Sequence, residues 1–526
     1  MESREIAVAK VDDLQNGDMK KITVNENVTI VLARINGMYY AFGGLCPHYE
    51  APLEKGMLRG AHVYCQWHHA VFNALSGACE EPPALKDISS YEVKVVDGTV
   101  FVCIPAKSPV GVLPAVAAPD RVGDNRTFVV VGGGAAGDSA VQTLRQNGFT
   151  GRVVMISSDN RPPYDRTNLN KSFLQGTGKE EWLPLRQKGY YMTLGVEMML
   201  DTTVSGIDPA TRSVVYNDNQ TLSYDKLLIA TGGTPKQLTI PGSELENVFT
   251  MRSFRDAERL VKTIGTTSSV AVIGASFIGL ESAFSLTRRG CRVTVIAPEP
   301  VPFELVFGKE IGGMYRSLHE HNGVMFRLGE GVRSFEGDTH VTGVLLESGE
   351  RIEAEIVLVG IGIRPATDFI RGVNKGRDGG IIVDRNMSAG NDIYAAGDVA
   401  QFPDWRTGDM IRIEHWRTAQ QLGKCAALNM IGKNVPFGGV PFFWSSQVKV
   451  HIRYVGHASS WDDLIVDGDI SSQDFITYYI KNGSVLAAAG INRDRELLVI
   501  EDLMQHNRMP DIEHLKRKSF DIFSFL

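Results

Sequence analysis

The 526-residue sequence predicts a multidomain protein: an all-β N-terminal domain, two α/β domains and a C-terminal α/β domain. Three observations predict this class. Short β-rich runs fill residues 1 to about 106, a strand–glycine–helix unit occurs twice, and such units stop after about residue 433. At roughly 150 residues per domain, the length suggests three or four domains.

The composition is that of a globular protein, with 43% hydrophobic and 22% charged residues. A net charge of −7 argues against a nucleic-acid partner, which needs a clustered basic face. No apolar run approaches the roughly 20 residues of a transmembrane segment, and the N-terminus has no leader pattern. Six cysteines suit a reducing compartment better than a disulfide framework. We therefore expect a cytoplasmic protein without a transmembrane segment.

The N-terminal domain, residues 1–107, alternates β-rich runs with turns, for example at residues 28–32, 38–42 and 99–102. Residues 108–124 are rich in proline, alanine and glycine without periodicity, which predicts a linker.

Two short motifs in the N-terminal domain combine cysteine with histidine. Cys46 and His48 are followed, after sixteen intervening residues, by Cys65 and His68. A Rieske [2Fe–2S] cluster needs this set, because one iron takes two thiolates and the other takes two imidazoles. The alternative is a structural Cys₂His₂ zinc site, but zinc fingers usually group cysteine with cysteine and histidine with histidine. The quartet therefore predicts a [2Fe–2S] cluster.

The match continues through Trp67, Phe72 and Gly77, so this region resembles the Rieske domains of the ferredoxin type. High-potential Rieske proteins add a disulfide between the loops. No further cysteine lies inside these loops, and Cys79 is expected to be a reduced structural residue. The resemblance implies a potential in the lower part of the Rieske range of roughly −150 to +300 mV. His69 is expected to be a polar loop residue rather than a fifth ligand.

The first glycine fingerprint comprises Gly132, Gly134 and Gly137, directly after a strand and before a helix. The first glycine permits the turn, the second lets a pyrophosphate approach the backbone, and the third packs the helix on the strand. Asp159, near the end of the next strand, best matches the acidic residue that binds an adenosine ribose.

Three further segments resemble the FAD-binding motifs of flavin reductases. The first carries Arg166 and Lys171, the second carries Thr231 and Gly232, and the third carries Asp398, which would bind the ribityl chain. Because these segments bracket the second glycine fingerprint, the resemblance implies an FAD domain that is split around a nicotinamide domain.

The second fingerprint has a serine in place of its middle glycine; its residues are Gly274, Ser276 and Gly279, followed by Glu281. Ser276 adds a hydroxymethyl group where the pyrophosphate comes closest. Ala297 occupies a position where relatives often have a ribose-binding glutamate, and Glu299 follows two residues later. No arginine just beyond Ala297 would hold a 2′-phosphate, which favours NADH over NADPH.

From residue 127 onward the chain resembles the ferredoxin-reductase-like flavoproteins, and with its N-terminal domain it resembles the apoptosis-inducing factor 3-like family over nearly its whole length. The resemblance implies an FAD-dependent NAD(P)H oxidoreductase. Its FAD domain would comprise residues 125–242 and 366–433, its NAD(P) domain residues 243–365, and its C-terminal domain residues 434–526. That last domain would either form a homodimer interface or cover the flavin.

The resemblance also implies individual site residues. Lys171 would be catalytic, at the reactive edge of the isoalloxazine, where a cation stabilises reduced flavin; an ordinary surface lysine is the alternative. The backbone of Val204 would face the adenine. The resemblance further implies that Glu414, His415, Trp416 and Trp444 line the flavin ring; the alternative is that these segments contribute buried core aromatics. Gly362, in the segment 360–365, is another implied cofactor-binding residue.

Disulfide reductases of this fold need cysteines beside the flavin. After residue 127 the sequence has only Cys291 and Cys425, both away from the predicted flavin face. We therefore predict that NADH gives a hydride to FAD, which passes electrons singly to the cluster. The acceptor beyond the cluster has no signature in the sequence; a second protein, a quinone and a small oxidant are all open.

Two alternative functions come from other classes. One is a redox signalling protein, as in apoptosis-inducing relatives, in which turnover is secondary. The other is a Rieske oxygenase, which needs a mononuclear iron on two histidines and a carboxylate. The sequence shows no compact set of that kind outside the quartet, and His319 and His321 are expected on a solvated helix or loop.

Overall fold

A computed structural model describes residues 3–105, 109–120, 122–217, 219–265, 268–517 and 520–526. It confirms the predicted fold class: an all-β unit comes first, two parallel sheets with helices follow, and an antiparallel sheet with helices ends the chain. No helix among the described residues is both long and apolar enough to cross a membrane.

The N-terminal domain consists of two antiparallel sheets. Its strands are β1 (Ser3–Lys10), β2 (Met19–Asn25), β3 (Val28–Ile35), β4 (Met38–Gly43), β5 (Met57–Arg59), β6 (His62–Tyr64), β7 (Val71–Asn73), β8 (Cys79–Glu81), β9 (Ser90–Val96) and β10 (Thr99–Pro105). One sheet has the order β1-β10-β9-β4-β3-β2 and the other β5-β6-β7-β8. The three strands expected from the sequence are thus confirmed as β3, β4 and β10. The first cysteine–histidine loop precedes β5, and the second connects β6 to β7 in the smaller sheet.

The described part of the linker contains no helix or named strand, as its composition predicts, but it is attached to both neighbouring domains. The backbone of Val112 exchanges two hydrogen bonds with Asp87, of 2.9 and 2.8 Å, and the N–H of Ala117 donates to the carbonyl of Arg145 at 2.8 Å. Ser108 and Arg121, which the predicted linker includes, lie outside the described residues.

The first α/β domain begins at the first glycine fingerprint. Its elements are β11 (Thr127–Val131), α1 (Ala135–Gln146), β12 (Arg152–Ile156), α2 (Tyr190–Thr193), β13 (Val196–Met199), β14 (Val204–Asp208), β15 (Ser213–Tyr216), β16 (Gln220–Ser223), β17 (Lys226–Ile229) and β18 (Gly233–Pro235). The β11 strand is an uninterrupted apolar run because it is buried on both faces of a parallel sheet.

The inserted α/β domain repeats this pattern. Its elements are β19 (Val248–Thr250), α3 (Phe254–Thr263), β20 (Ser269–Ile273), α4 (Phe277–Arg288), β21 (Arg292–Ala297), α5 (Glu304–Phe307), α6 (Lys309–Glu320), β22 (Val324–Leu328), β23 (Val332–Glu336), β24 (Gly343–Leu346), β25 (Arg351–Glu353), β26 (Ile356–Val359) and β27 (Ile363–Pro365). The parallel sheet has the order β19-β26-β20-β21-β22.

After the insertion the chain returns to the first α/β domain. The returning elements are β28 (Ile381–Ile382), β29 (Ser388–Gly390), β30 (Ile393–Ala395), β31 (Ala400–Pro403), β32 (Met410–Ile411) and α7 (Trp416–Met430). Strand β30 pairs in parallel with β17, which gives the sheet order β13-β12-β11-β17-β30-β29. One sheet is therefore built from two separate stretches of the sequence.

The C-terminal domain is an antiparallel sheet with two helices. Its elements are β33 (Phe442–Gln447), β34 (Val450–Gly456), β35 (Asp463–Asp469), β36 (Asp474–Lys481), β37 (Ser484–Ile491), α8 (Asp494–Gln505) and α9 (Ile512–Leu515). Met57 and Tyr64, from the smaller N-terminal sheet, pack into the hydrophobic core of this domain. The N-terminal domain is therefore docked against the C-terminal domain.

The expectation of two solvated histidines is wrong for His319 and right for His321. His321 is exposed at the end of α6, but His319 is completely buried. The reason is the helical phase: Ile311, Tyr315 and His319 are spaced four residues apart and share the face of α6 that packs into the molecule.

Candidate functional site

A cavity of about 960 Å³ contacts both glycine fingerprints. Most of the sequence-predicted residues line it: Gly132, Gly134, Asp159, Arg166, Lys171, Val204, Thr231, Gly232, Ser276, Glu281, Asp398, Glu414, His415, Trp416 and Trp444. The loops that follow parallel strands meet here, which is where open α/β sheets place their ligands.

Five predicted cofactor residues do not line this cavity: Gly137, Gly274, Gly279, Glu299 and Gly362. Two of them allow close packing instead, because a Cβ at Gly137 would lie 2.1 Å from the carbonyl oxygen of Gly132 and one at Gly279 would lie 2.2 Å from that of Gly274. Glu299 lies beyond the end of β21, and Gly362 is exposed in the loop before β27.

The first fingerprint leaves room for a phosphate group. Gly132 has φ of +124°, and a Cβ there would lie 2.1 Å from the carbonyl oxygen of Ala230, so the turn requires glycine. A Cβ at Gly134 would meet nothing within 4 Å, because this backbone opens toward the cavity at the start of α1.

Two arginines in the cavity wall each have a buried Nε without a hydrogen-bond partner among the described residues: Arg166 and Arg252. Burial lowers the pKa of Arg166, and the positive charge of the neighbouring Arg252 lowers it further. Arg252 is tied to Asp398 by a contact of 2.9 Å. Two partly exposed cations, each with a free buried donor, suit an anionic ligand, which fits the pyrophosphate of FAD. Sequence reasoning assigned no role to Arg252, although it directly precedes the N-cap of α3.

Lys171 lies in a short helical turn in the cavity wall and forms an interdomain ion pair. Its Nζ is 2.6 Å from Oε2 of Glu281 and donates to the carbonyl of Thr167 at 2.9 Å. Glu281 also accepts a bond of 2.8 Å from the amide of Asn170 and one of 2.7 Å from the hydroxyl of Ser445. The carboxylate therefore joins three segments of the chain at one point of the cavity.

The wall at the start of α7 is aromatic, with one ion pair beside it. His415 stacks on Phe443 at 4.2 Å between ring centroids, and burial lowers the pKa of His415 to about 4. Burial raises the pKa of Glu414, against the opposing effect of Arg412 at 2.6 Å. A flat apolar wall of this kind fits the isoalloxazine ring.

The quartet in the N-terminal domain is arranged as two like pairs. The thiols of Cys46 and Cys65 are buried and in contact, and the Nδ1 atoms of His48 and His68 lie 3.0 Å apart. No three His, Cys, Asp or Glu side chains are placed to hold a single metal ion, as far as the structure describes the chain. A thiol pair beside an imidazole pair is the donor set of a binuclear [2Fe–2S] centre.

The two loops that carry the quartet have the same backbone design. The N–H of each cysteine donates to the carbonyl five residues later, at 2.9 Å in both loops. The residue four positions after each cysteine, Glu50 or His69, has φ of +58°. Non-glycine residues rarely adopt this conformation, and such residues concentrate at functional sites.

Protonation within the quartet suits metal binding. Burial lowers the pKa of His48 to about 4 and that of His68 well below 6.5, so both imidazoles are neutral and offer a lone pair. The hydrogen bond between the thiols, with burial, raises the pKa of Cys46, and the same bond lowers that of Cys65. All six cysteines are free, which confirms the reduced state expected for Cys79.

Trp444 connects the quartet to the cavity. Its ring lies 4.3 Å from that of His68 and 6.0 Å from that of His48, while the same side chain lines the cavity. On another side, the ring of Tyr49 lies 4.3 Å from that of His48 and its hydroxyl accepts a bond of 2.9 Å from Asn168. One aromatic side chain therefore separates the imidazole pair from the flavin-sized space.

A buried ionic network fixes the N-terminal domain in this position. His69 is a polar loop residue, as expected; it is fully buried, and its Nδ1 hydrogen-bonds Glu501 of α8. Arg417 of α7 contacts Glu501 at 2.8 Å and donates to the carbonyls of His69 and Pro82, both at 3.0 Å. Burial alone would raise the pKa of Glu501, but Arg417 and His69 lower it to about 2.

Three further polar contacts extend this interface. Lys424 and Gln421 of α7 bond Glu81 at 3.0 and 2.8 Å, and Arg453 donates to the carbonyl of Trp67 at 2.8 Å. Sequence reasoning assigned no role to these residues. The one local signal is that charged residues such as Arg417 and Glu501 interrupt helices that are otherwise largely buried.

Three family models match the chain in succession. A Rieske [2Fe-2S] domain matches residues 4–92, a pyridine nucleotide-disulphide oxidoreductase matches residues 126–423, and a reductase C-terminal domain matches residues 442–526.

Apoptosis-inducing factor 3 of Homo sapiens is 35% identical over 515 residues, which are 96% of this chain and 84% of the relative. The biphenyl dioxygenase system ferredoxin–NAD(+) reductase component of Paraburkholderia xenovorans (strain LB400) is 30% identical over 72% of this chain and 93% of its own. Among solved structures, the covalent putidaredoxin reductase–putidaredoxin complex is similar with a TM-score of 0.72 and 28% identity, covering 76% of this chain and 98% of that one.

These similarities confirm the resemblance inferred from the motifs, and with it the cofactors FAD, NAD(H) and a [2Fe–2S] cluster. The chain belongs to the apoptosis-inducing factor 3 family and is an FAD-dependent oxidoreductase that carries a Rieske domain.

Proposed function

We propose that this enzyme oxidises NADH and delivers the electrons one at a time, through its own Rieske domain, to a separate acceptor. The observation that carries the proposal is the position of Trp444, which lines the cavity and lies against His68 at 4.3 Å between rings. When bound, FAD accepts a hydride and the cluster accepts single electrons.

The residues of the cavity divide into two groups. Residues of the first α/β domain, from Gly132 to Asp398, hold the FAD, with Arg166 and Arg252 neutralising its phosphates. Ser276 and the N-terminus of α4 face the nicotinamide nucleotide. Lys171 is the catalytic cation beside the flavin. The domain boundaries given by the sequence are part of this proposal.

NADH is the proposed donor because Ala297 is followed by no arginine that would bind a 2′-phosphate, and because several relatives are named as NAD(+) reductases. Those relatives align with about 70% of this chain, and their names include a rubredoxin or a ferredoxin as the electron carrier. The built-in Rieske domain takes the place of such a partner. Free cysteines throughout suit the proposed cytoplasmic location.

The protein itself supplies orientation and exclusion of water along this path. The ring of Trp444 fills the space between the cavity and the imidazole pair, and the ionic network of Arg417 and Glu501 holds that spacing.

Stopped-flow mixing of the complete enzyme with NADH tests the proposal, with the flavin followed by absorbance and the cluster by EPR. We expect flavin bleaching followed by a Rieske signal. Trp444→Leu should slow the second phase at least tenfold and leave the first within twofold. Trp182→Leu, a change at a ring that is 62% exposed, is the matched control and should change neither phase. A cluster that stays oxidised while the flavin bleaches would refute the internal path.

A further inference from the structure

Four buried side chains form a continuous hydrogen-bonded chain that begins at the ion pair of Lys171. The hydroxyl of Ser445 contacts Oε1 of Glu281 at 2.7 Å, Nε2 of Gln447 contacts that hydroxyl at 3.0 Å, and Nε2 of His319 lies 3.2 Å from Oε1 of Gln447. The exposed fractions of Glu281, Ser445, Gln447 and His319 are 7%, 1%, 0% and 0%. The bonds link the inserted domain to the first strand of the C-terminal sheet.

The chemistry of the groups gives this chain one direction. The carboxylate of Glu281 only accepts hydrogen bonds, so the hydroxyl of Ser445 donates its single proton to it. Ser445 must then accept from the amide nitrogen of Gln447, which leaves the amide oxygen to face His319. That oxygen is also only an acceptor, so His319 donates through its Nε2–H.

The far end of the chain agrees with this direction. Burial lowers the pKa of His319 to about 4, so the ring is neutral and carries one proton. Its Nδ1 has no partner among the described residues, as expected of the bare nitrogen in the Nε2–H tautomer. Hydrogen bonds that all point the same way in a low-dielectric interior strengthen one another, so each donor adds to the stabilisation of the buried negative charge.

We infer that Ser445, Gln447 and His319 are positioning residues that keep the carboxylate of Glu281 turned toward Lys171, and so hold the lysine at the flavin edge. The inference deepens the proposed function and rests on its placement of Lys171 beside the flavin. None of the three residues needs to touch the cofactor, since they act through the carboxylate.

Paired variants test the hydrogen-bonded chain from His319 to Glu281. Ser445→Ala and His319→Leu each remove a donor, whereas Ser445→Thr and His319→Gln each retain one. Ser446→Ala is the matched control, since Ser446 is the next residue of the same strand and bonds His451 instead. Lys171→Met is the reference variant, because it removes the cation completely and so measures the full effect of its loss. The measurements are the limiting rate and apparent Kd of flavin reduction by NADH, and the flavin midpoint potential from a dye-coupled titration with chemical reductant.

The loss of one charge-assisted hydrogen bond corresponds to roughly a tenfold change. We therefore expect Ser445→Ala to slow the limiting rate about tenfold and His319→Leu, which removes a bond between neutral groups, to slow it in the same direction by less. Both variants should leave the Kd for NADH within twofold and lower the midpoint potential in the same direction as Lys171→Met. The donor-retaining variants should recover most of both effects. In selectively ¹⁵N-labelled protein, His319 should show the Nε2–H tautomer and lose it in Gln447→Leu.

The inference is overturned if the donor-removing variants have the potential and rate of the wild type while Lys171→Met changes both. It is also overturned if His319 is protonated at Nδ1. Failure of the proposed function gives a different result: the flavin would not accept a hydride from NADH at all. The chemical titration and the tautomer measurement would still decide the role of the hydrogen-bonded chain.

Discussion

Substitution of Glu501 by glutamine tests the network that docks the Rieske domain. Glu501→Gln keeps the shape of the side chain but removes the charge that pairs with Arg417, whose side chain is only 3% exposed. The guanidinium would keep its bonds to two carbonyl groups but lose its anionic partner. Removing one member of a buried ion pair is strongly destabilising, because the other charge stays out of water.

The size of the effect follows from the pKa of the carboxyl group. A folded-state pKa of about 2, in place of the ordinary 4.5, corresponds to about 3 kcal/mol at 1.36 kcal/mol per pH unit. Because the folded pKa is depressed, this contribution is complete above about pH 5 and declines as the pH falls through 4.5 toward 2. The difference between wild type and Glu501→Gln should therefore be largest at neutral pH and less than half as large at pH 3.

Amide hydrogen exchange measures the free energy of opening at the interface. Peptides from residues 57–81 should open about 3 kcal/mol more easily in Glu501→Gln at pH 7. Glu513→Gln, at an exposed glutamate in the same domain, is the matched control and should exchange as the wild type does. Equal opening free energies in wild type and Glu501→Gln at pH 7, within 1 kcal/mol, would show that the ion pair does not hold the Rieske domain.

Three further predictions concern the cofactor sites and the core. Cys46→Ser should reduce the iron content from about two atoms per chain to none while the flavin content is unchanged, as measured by metal analysis and absorbance. Gly132→Ala should lower the flavin retained on purification at least tenfold, because the new Cβ would lie 2.1 Å from a carbonyl oxygen in the turn. A normal flavin content would show that this glycine turn does not bind the flavin nucleotide. Arg145→Leu should lower the free energy of unfolding by about 3 kcal/mol or more in urea titration, since the buried guanidinium donates to four carbonyl groups; a loss below 1 kcal/mol would contradict this.

The parts of the site that the sequence predicts are those whose chemistry depends on local spacing. The Cys–His pairs are two and three residues apart, and each pair lies in one loop, so the [2Fe–2S] assignment needed no knowledge of the fold. The same holds for the glycine turn that begins at Gly132, where a strand, a turn and a helix are consecutive. In both cases the functional geometry is formed by neighbours in the chain.

The docking interface has no such local pattern. His69 and Glu501 are 432 positions apart, and Arg417 and Glu501 are 84 apart, so only the assembled fold brings them together. His319 is an intermediate case: the expectation of a solvated position is wrong, although its four-residue spacing from Tyr315 carried the correct helical phase.

If the proposed internal transfer operates, the docked position of the Rieske domain determines its kinetic order. In a reductase with a separate carrier, transfer is bimolecular, and it slows with dilution and with salt as the encounter becomes rarer. Here the two partners are parts of one molecule, and the charges that join them are buried from counterions. Reduction of the cluster should thus be unimolecular, with one rate constant from nanomolar to micromolar enzyme and little response to ionic strength. The cell could then express this enzyme at very low abundance without losing the speed of its internal transfer.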